Sequence, residues 1–383
     1  MLITAISTSQ VPSTSANSIQ VMKVCQALAQ NGHKVRLLVP GQARAESGPP
    51  RVAWNELARL YALDARFAVE WLPARERWRR NDFAWSAARR ARADHLARPG
   101  EHWVYTWSFQ AAVFALLGGQ SVLLEVHDLP TGRLGPLWLR AFLRLPGRKR
   151  LVLITRSLQQ VLEQRFGRLL PTADMRVAPN GVELERYAGL PAPAEARTQL
   201  GLADGLSVVC TGHLYAGRGG DLFLDLARAF PQARFLWVGG RPEDVERHRG
   251  LAVGMGLENV HFRGHVPQGE LPLYQAAANV LLMPYGRSIA GSGGGDSAAI
   301  CSPMKLFDYL AAGRAILSSD LPVIREVLDS ECARFAPPDD LAGWVTALEE
   351  LLSDGALRVR LGARAKERAA QYSWQEREQR CLS

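Results

Sequence analysis

At 383 residues with 47% hydrophobic residues, the chain is too long for one small core, and we expect two soluble globular domains. No run of about 18 apolar residues occurs, which argues against a membrane-spanning helix. The five cysteines never form a CxxC pair, which argues against a zinc site and for reduced thiols. The net charge of +9 is uneven, because residues 1–185 carry 25 Lys and Arg against 14 Asp and Glu, whereas the remainder carries 21 against 23. The basic first half predicts an anionic partner: a phosphorylated substrate, an acidic lipid surface or nucleic acid.

The first half opens with a strand, a polar loop and a helix. We predict a buried strand at 2–8, a helix at 19–30 and a second strand at 33–40. Such a βαβ unit has its ligand loop at the carboxyl end of the first strand. No glycine precedes Gly32, so the loop lacks the G-x-G-x-x-G fingerprint and does not suit a dinucleotide of the NAD type. The first ten residues show no basic leader or cleavage site, so we expect a cytoplasmic protein.

The same alternation continues through the rest of the first half. Further strands are predicted at 67–73, 101–107, 121–128, 149–156 and 174–182. Regular alternation of strand and helix is typical of a doubly wound parallel sheet. The pair Asn180-Gly181 predicts a turn at which the chain passes from one half to the other.

The segment 75–98 of this half is strongly basic and contains two tryptophans, Trp78 and Trp85. The simplest interpretation is an arginine-rich surface helix. The functional interpretation is a lip for an anionic or lipid-linked acceptor, with charge from Arg79 and Arg80, because Arg and Trp together suit a membrane interface. Nucleic acid is the weaker alternative, since no recognised binding motif accompanies the charge.

A Pro- and Ala-rich linker at 189–202 precedes a second alternation of strands and helices. The strands of this half are predicted at 207–214, 233–240, 259–266, 279–286 and 315–320. The chain from 341 to 372 is predicted to be helical. We therefore predict two similar α/β halves with a cleft between them.

The loop after the strand at 207–214 is rich in glycine and leads into a helix, in the sequence GHLYAGRGGD. Backbone N–H groups at a helix N-terminus attract phosphate. Arg218 in this loop can bind phosphate oxygens with two hydrogen bonds. Glycine-rich turns before helices are, however, also common without a ligand.

The segment 301–327 combines the start of a helix with the polar end of a strand. Lys305 is one of only five lysines in the chain, and Asp308 follows it within one helical turn. We interpret Lys305 as a phosphate partner and Asp308 as an acceptor for sugar hydroxyls. The alternative for Lys305 is a solvated helix position. The Ser-Ser-Asp sequence at 318–320 ends the next strand, where α/β folds bind ligands.

His127 lies beside Asp128 at the end of the strand predicted at 121–128. The histidine could be a general base or an electrostatic donor, or the two residues could form a satisfied structural pair. The position at the carboxyl end of a parallel strand favours a function.

Several of these segments resemble motifs of the retaining glycosyltransferases of family four, also called group 1. GHLYAGRGGDL resembles their G-x-L-x-x-x-K/R-G stretch, and SPMKLFDYLAAGRAILSSDLPVIREVL is similar to their SPxKxFEYMAxGxPIxxSDxPxxxEV segment. PNGVELERY resembles their PNGVD turn, and EVHD, FLWVGG and NVHFRGHV fall in register. The resemblance covers most of the chain in the family's order.

The resemblance implies a GT-B architecture, in which two Rossmann-like domains with doubly wound parallel sheets face a central cleft. We predict an N-terminal acceptor-binding domain at 1–186 and a C-terminal nucleotide-sugar-binding domain at 187–365. The helix at 366–383 is expected to cross back to the first domain. The family further implies a nucleotide-diphosphate sugar of the UDP or GDP type, a glycan, lipid-linked or small-molecule acceptor, no cofactor and no metal.

The resemblance also implies roles for individual residues. The residues so assigned are Arg218, Lys305, Met304 and Gly212 for the donor diphosphate, Asp308 for the ribose, and His127 and Asn17 for catalysis. Arg79, Arg80, Trp78 and Trp85 remain the candidates for the acceptor or membrane side.

Two departures from the family pattern bear on activity. Ile300 stands where the family has the first acid of its E-x7-E pattern, and Asp296 is an acid that could replace it. His213 stands where an arginine usually follows the first glycine, which leaves Arg218 with more of the diphosphate charge.

We therefore interpret the chain as a cytoplasmic sugar transferase, with peripheral association at the inner face of the cell membrane as an option that the basic segment leaves open. The alternative is a non-catalytic nucleotide-sugar-binding or scaffold protein of the same fold, which both departures favour. A GT-B epimerase or phosphorylase is a second enzymatic alternative.

Overall fold

The computed structural model describes residues 1–42, 52–74, 81–289 and 296–383. These residues form two compact units, of which the second is Gly181–Ser373 and the first consists of Met1–Asn180 and Trp374–Ser383. Each unit contains one sheet, with seven strands in the first and six in the second. The predicted class of two α/β units with parallel sheets is confirmed.

The sheet of the first unit is entirely parallel and has the order β3-β2-β1-β4-β5-β6-β7. Its strands are β1 (Leu2–Ile6), β2 (Lys34–Gln42), β3 (Ala68–Ala74), β4 (His102–Thr106), β5 (Ser121–Val126), β6 (Lys149–Leu153) and β7 (Met175–Val177). Strands β1, β4 and β5 are buried along their whole length, as expected of apolar strands covered on both faces. The strand order reverses between β1 and β4, and ligands of α/β sheets bind at the carboxyl ends beside such a reversal.

Six α-helices of the described ranges connect these strands. They are α1 (Ala16–Gln30), α2 (Trp54–Tyr61), α3 (Asn81–Ala97), α4 (Phe109–Leu117), α5 (Gly135–Arg144) and α6 (Arg156–Phe166). Helix α1 begins at Ala16, before the predicted start at residue 19, because the Ser15 side chain accepts a hydrogen bond from the amide of Ser18 and caps the helix.

The sheet of the second unit is also parallel and has the order β10-β9-β8-β11-β12-β13. Its strands are β8 (Ser207–Thr211), β9 (Arg234–Val238), β10 (Val260–Gly264), β11 (Val280–Met283), β12 (Ala315–Ser319) and β13 (Ala333–Ala336). Strand β13 was not predicted from the sequence. It is a four-residue edge strand with the sequence ARFA, too short to show the period-two pattern.

The helices of the second half of the chain pack on both faces of this sheet, with one exception. They are α7 (Pro193–Gln199), α8 (Gly220–Ala229), α9 (Pro242–Gly254), α10 (Leu271–Ala276), α11 (Met304–Ala312), α12 (Pro322–Arg325), α13 (Leu341–Ser353), α14 (Gly355–Ala369) and α15 (Trp374–Leu382). The predicted helical run from 341 is divided at Asp354, whose side chain accepts from the Leu357 amide and starts α14. The exception is α15, which belongs to the first unit and packs on α1. No helix within the described ranges is both long and apolar enough to cross a membrane.

Candidate functional site

Two cations of the second unit meet at the ring of Tyr285, directly after β11. The Arg218 Cζ atom lies 5.0 Å from the ring centroid and the Lys305 Nζ atom 4.6 Å from it. Arg218 also donates a hydrogen bond of 3.0 Å from Nη1 to the Tyr285 hydroxyl. A cation over a shielded aromatic face gains about 1–2 kcal/mol. The buried ring therefore holds both positive charges at one place without neutralising them.

The positive charge of this pair is available for an anion. Within the described part of the chain, no carboxylate lies within the 4.0 Å ion-pair distance of Arg218 or Lys305. The Nε atom of Arg218 is buried and has no hydrogen-bond partner there. Lys305 also contacts the Cys210 sulfur at 3.6 Å, so the alternative of a solvated helix position is wrong.

Lys305 is the second residue of α11. Pro303 precedes the helix and makes no side-chain cap hydrogen bond, and the positive end of the helix lies at Met304 and Lys305. Gly212 lies close by, since a Cβ atom built on it would be 4.0 Å from the Lys305 Cδ atom. The structure thus brings together the residues predicted for the diphosphate: Arg218, Lys305, Met304 and Gly212.

Asp308 lies one turn further along α11. It is half-buried and interacts with Tyr187, whose pKa is raised by burial and by the Asp308 carboxylate. The Tyr187 hydroxyl in turn donates to Gln275 at 2.9 Å. Tyr187 therefore lies beside the carboxylate that the sequence assigns to the ribose and is itself held by Gln275, and neither residue was recognised in the sequence.

The glycines around Arg218 allow close backbone packing, while the contact of the loop's N–H groups with phosphate stays a prediction. A Cβ atom on Gly217 would lie 1.9 Å from the Ser288 carbonyl oxygen, and one on Gly219 would lie 1.8 Å from the Pro284 carbonyl oxygen. The loop is therefore pressed against the backbone on both sides of Tyr285. Glycine here lets Arg218 reach the ring.

The predicted polar cluster at 318–320 is structural. The buried Ser319 hydroxyl donates to the Tyr285 carbonyl at 2.6 Å, and Asp320 pairs with Arg325 at 2.7 Å. These groups are occupied by the protein itself. Ser319 nevertheless supports the Tyr285 ring site indirectly, because its hydrogen bond holds the backbone of Tyr285 in place.

The two departures from the family motif have distinct surroundings. The Ile300 side chain is 3% exposed and packs in the core. Asp296 is exposed, but its Oδ1 atom accepts from the amides of Ile289 and Ala298, each at 2.9 Å. The Asp296 carboxylate thus holds its own loop in place. This structural role explains the residue without a catalytic role. His213 stacks on Tyr215 with ring centroids 4.7 Å apart.

The first unit carries a second candidate site, a cavity of about 470 Å³ at the carboxyl ends of β1, β4 and β5. Both residues predicted for catalysis, Asn17 and His127, line it. Asn17 lies in the first turn of α1, and His127 directly follows β5. More than half of the lining residues carry hydroxyl, amide or charged side chains, which suits a ligand rich in hydroxyl groups. The lining includes Ser7, Thr8, Gln20, Gln110, Asp128 and Arg133.

Behind His127 lies a buried carboxylate, Glu125. The His127 Nε2 atom is 2.5 Å from Glu125 Oε1, and Arg377 of α15 donates to both carboxylate oxygens. Burial alone would raise the pKa of Glu125, but Arg377 and His127 hold it well below its usual range. Glu125 is thus ionised inside the fold. Sequence reasoning identified His127 and missed the charged group that it contacts.

The predicted basic lip is only partly described. Trp78, Arg79 and Arg80 lie outside the described residues. Trp85 is 53% exposed on α3 and lies 5.2 Å from the Arg89 guanidinium. These positions remain predictions for the acceptor or membrane side.

Two family models match the chain. The model described as Glycosyltransferase Family 4 matches residues 18–186, and the model described as Glycosyl transferases group 1 matches residues 205–354. The phosphatidyl-myo-inositol mannosyltransferase of Mycolicibacterium smegmatis is 32% identical over 206 residues, which cover 51% of this chain and 47% of the relative. The match thus spans about half the length of this curated relative.

Solved structures of low sequence identity share the fold over nearly the full length. The Anabaena protein Alr3699/HepE, in complex with UDP, has a TM-score of 0.73 at 15% identity and covers 100% of this chain and 98% of its own. A glycosyltransferase from Rickettsia africae has a TM-score of 0.76 at 10% identity, with coverages of 100% and 96%. The two units therefore have the GT-B fold. The chain belongs to the glycosyltransferases of group 1, family four.

Proposed function

We propose that the protein is a retaining, metal-independent glycosyltransferase that moves a sugar from a nucleotide-diphosphate donor to an acceptor hydroxyl. The observation that carries this proposal is that two cations, Arg218 and Lys305, meet on the Tyr285 ring beside the start of α11 with no carboxylate of the described residues within ion-pair distance. The family match and the UDP bound by the Anabaena neighbour support a donor of the UDP or GDP type.

The proposed chemistry places little covalent work on the protein. When the glycosidic bond to the diphosphate breaks, negative charge develops on the leaving phosphate oxygens, and preorganised positive groups stabilise it. Arg218, Lys305 and the start of α11 supply this charge, so no step requires a divalent cation. Asp308 would hold the ribose hydroxyls. Retention of anomeric configuration is inferred from the family resemblance, and no nucleophile is assigned.

The cavity of the first unit is the proposed acceptor site. Its polar wall suits a hydroxyl-rich head group, and His127 and Asn17 would contact the reacting groups there. The Mycolicibacterium relative is named for transfer to phosphatidyl-myo-inositol, which supports a lipid-linked acceptor here. Arg133 at the cavity wall and the exposed Leu134 beside it suit an anionic linker and an apolar chain.

A non-catalytic nucleotide-sugar-binding protein of the same fold is the second candidate. The specific observation in its favour is Ile300, because a buried apolar side chain occupies the position of a family acid. Such a protein would bind the donor and never release a free nucleoside diphosphate from it.

A panel of nucleotide sugars separates these candidates. We expect one uridine or guanosine diphosphate sugar to raise the thermal midpoint, since a ligand at 100 times its Kd stabilises the folded state by about 2.7 kcal/mol. The same donor should release nucleoside diphosphate when an acceptor, such as a phosphatidylinositol micelle, is added. Stabilisation without release would favour the binding protein, and neither effect with any donor would refute both candidates.

We also propose peripheral binding to an anionic membrane through α3. The residues Trp85, Arg89, Arg92 and Leu96 are all exposed and recur at helical spacing, so they form one stripe on the outer side of the helix. Arg90 does not belong to this stripe, because it pairs with Glu70 at 3.0 Å.

Removing the two charges of this stripe should weaken membrane binding. We expect the double variant R89Q/R92Q to bind vesicles containing phosphatidylglycerol about thirtyfold more weakly, because each basic residue near an anionic surface contributes about 1 kcal/mol. Co-sedimentation at low and high salt measures the effect. The control is R228Q/R247Q, which removes two exposed arginines of the second unit. Equal binding of both double variants would exclude α3 as the contact.

A further inference from the structure

A cluster of charged side chains lies behind the cavity of the first unit, fully shielded from solvent. Glu125 of β5, Arg377 and Glu378 of α15, and Tyr105 of β4 are each at most 1% exposed. Arg377 Nη2 donates to Glu125 Oε1 at 2.8 Å and Nη1 to Oε2 at 3.2 Å, so the pair is bidentate. Tyr105 donates to the same carboxylate.

The guanidinium of Arg377 is fixed from the opposite side as well. Its Nε atom donates to the Pro179 carbonyl at 2.8 Å, and Nη2 also donates to the Ala178 carbonyl at 3.0 Å. These carbonyls follow β7, near the end of the main segment of the first unit. Arg377 therefore has little freedom to move away from Glu125.

We propose that Arg377 is a positioning residue for His127, acting through Glu125, so that the last helix of the chain sets the tautomer of the proposed catalytic histidine. The inference rests on the proposed function, because it takes His127 as the group that contacts substrate.

The ionised carboxylate of Glu125 restricts where the hydrogen of neutral His127 can lie. A charged carboxylate only accepts hydrogen bonds, so the contact of 2.5 Å between Glu125 Oε1 and His127 Nε2 requires the hydrogen to be on Nε2. The Nδ1 atom of neutral His127 then keeps its lone pair for a hydroxyl group in the cavity. Gln20 donates to the same Oε1 atom at 2.9 Å and helps to fix its place.

The charge on Glu125 depends on Arg377. A buried carboxylate without a cation would take up a proton, since the desolvation cost is several kcal/mol. Protonated Glu125 could donate to Nε2, and His127 could then carry its hydrogen on Nδ1. Burial and the neighbouring Glu125 charge raise the pKa of Glu378 to about 7, although Arg377 opposes them. Glu125 is thus the more strongly ionised carboxyl group beside Arg377.

If Arg377 only stabilised the fold, the contacts would be the same, but its replacement would leave the His127 tautomer unchanged. The decisive readout is the nitrogen chemical shifts of the His127 imidazole, assigned by comparison with His127→Gln. We expect the wild-type protein to show the Nε2–H form, and folded Arg377→Met to show a mixture with the Nδ1–H form. Arg377→Lys keeps the positive charge but cannot make the two parallel hydrogen bonds of a guanidinium, so it should restore part of the wild-type signal. Unchanged shifts in folded Arg377→Met would overturn the proposal.

The second readout is the steady-state rate at which nucleoside diphosphate is released from UDP-glucose and from GDP-mannose. Arg377→Met should lower kcat by about 10²-fold, the scale of a misplaced catalytic group, with a change in donor KM of no more than about threefold. The control is Arg380→Met, an exposed position on the same helix. If Arg377→Met fails to fold, Glu125→Gln removes the charge at equal side-chain volume and must alter the His127 shifts instead. If the wild-type protein turns over neither donor, the proposed function loses its support while the chemical shifts still test the positioning role.

Discussion

Removing either cation on the Tyr285 ring is expected to lower the affinity for nucleoside diphosphates by about tenfold to a hundredfold. A hydrogen bond to a charged group contributes about 1.5–3 kcal/mol, and both cations would make such bonds to phosphate. The variants Arg218→Gln and Lys305→Met remove the charge and keep most of the side-chain length. Each variant should still fold, because it loses about 1–2 kcal/mol from the contact with the Tyr285 ring and breaks no ion pair in the described part of the chain.

The loss of affinity should come from the contacts with the phosphates and not from those with the nucleobase. Calorimetric titrations with UDP and GDP, compared with uridine and guanosine, measure how much of the affinity comes from the diphosphate. We expect this difference to shrink in both variants, while the affinity for the nucleosides stays the same.

Matched controls for this experiment are present in the same unit. Lys366 on α14 and Arg247 on α9 are exposed, so Lys366→Met and Arg247→Gln change the net charge equally without touching the Tyr285 ring. If Arg218→Gln and Lys305→Met both bind UDP and GDP as tightly as these controls, the donor site must lie elsewhere.

The features predicted from the sequence are those that depend on residues near each other in the chain. Alternating apolar segments and turns indicated both parallel sheets, and the Asn180-Gly181 turn coincides with the passage between the units. Lys305 and Asp308 belong to one helix, so one stretch of sequence placed both. Elements without a local pattern, such as the four-residue β13, were missed.

Tyr285 was missed for a different reason. In the sequence it reads only as the apolar end of a strand, yet its ring contacts a cation from the Arg218 loop and another from α11. Two residues distant in sequence meet on it only because β8, β11 and β12 are neighbours in the sheet. A residue that organises others in this way has no motif of its own.

The contacts of Glu125 were even harder to predict from the sequence than those of Tyr285. Arg377 lies 252 residues from Glu125 along the chain, and its basic side chain looks like any other arginine of a polar helix. Nothing local indicates that it is 1% exposed. A buried ion pair between β5 and a helix so distant in the chain becomes visible only in the folded structure.

Replacing Gly219 by alanine is expected to destabilise the second unit by about 3 kcal/mol or more. The residue has φ +81°, a conformation that costs an L-residue about 1–2 kcal/mol. In addition, the new Cβ atom would lie 1.8 Å from the Pro284 carbonyl oxygen and 2.7 Å from the Pro284 side chain. The Pro284 backbone cannot yield without moving Tyr285, the next residue, and a shift of Gly219 would move Arg218, so the affinity for UDP and GDP should fall as well.

Gly256 serves as a control that separates the conformational from the steric part of the stability lost in Gly219→Ala. Its φ of +69° is similar, but a Cβ atom there would meet nothing within 4 Å, so Gly256→Ala should lose only the conformational part, about 1–2 kcal/mol. Urea denaturation of both variants gives the difference, which is the steric cost of pressing the Arg218 loop against Pro284. Equal losses would mean that the loop can move aside freely, and a loop that moves freely could not hold Arg218 on the Tyr285 ring. A larger loss for Gly219→Ala, with weaker binding of UDP and GDP, would show that the glycines of this motif act by close packing beneath the phosphate site.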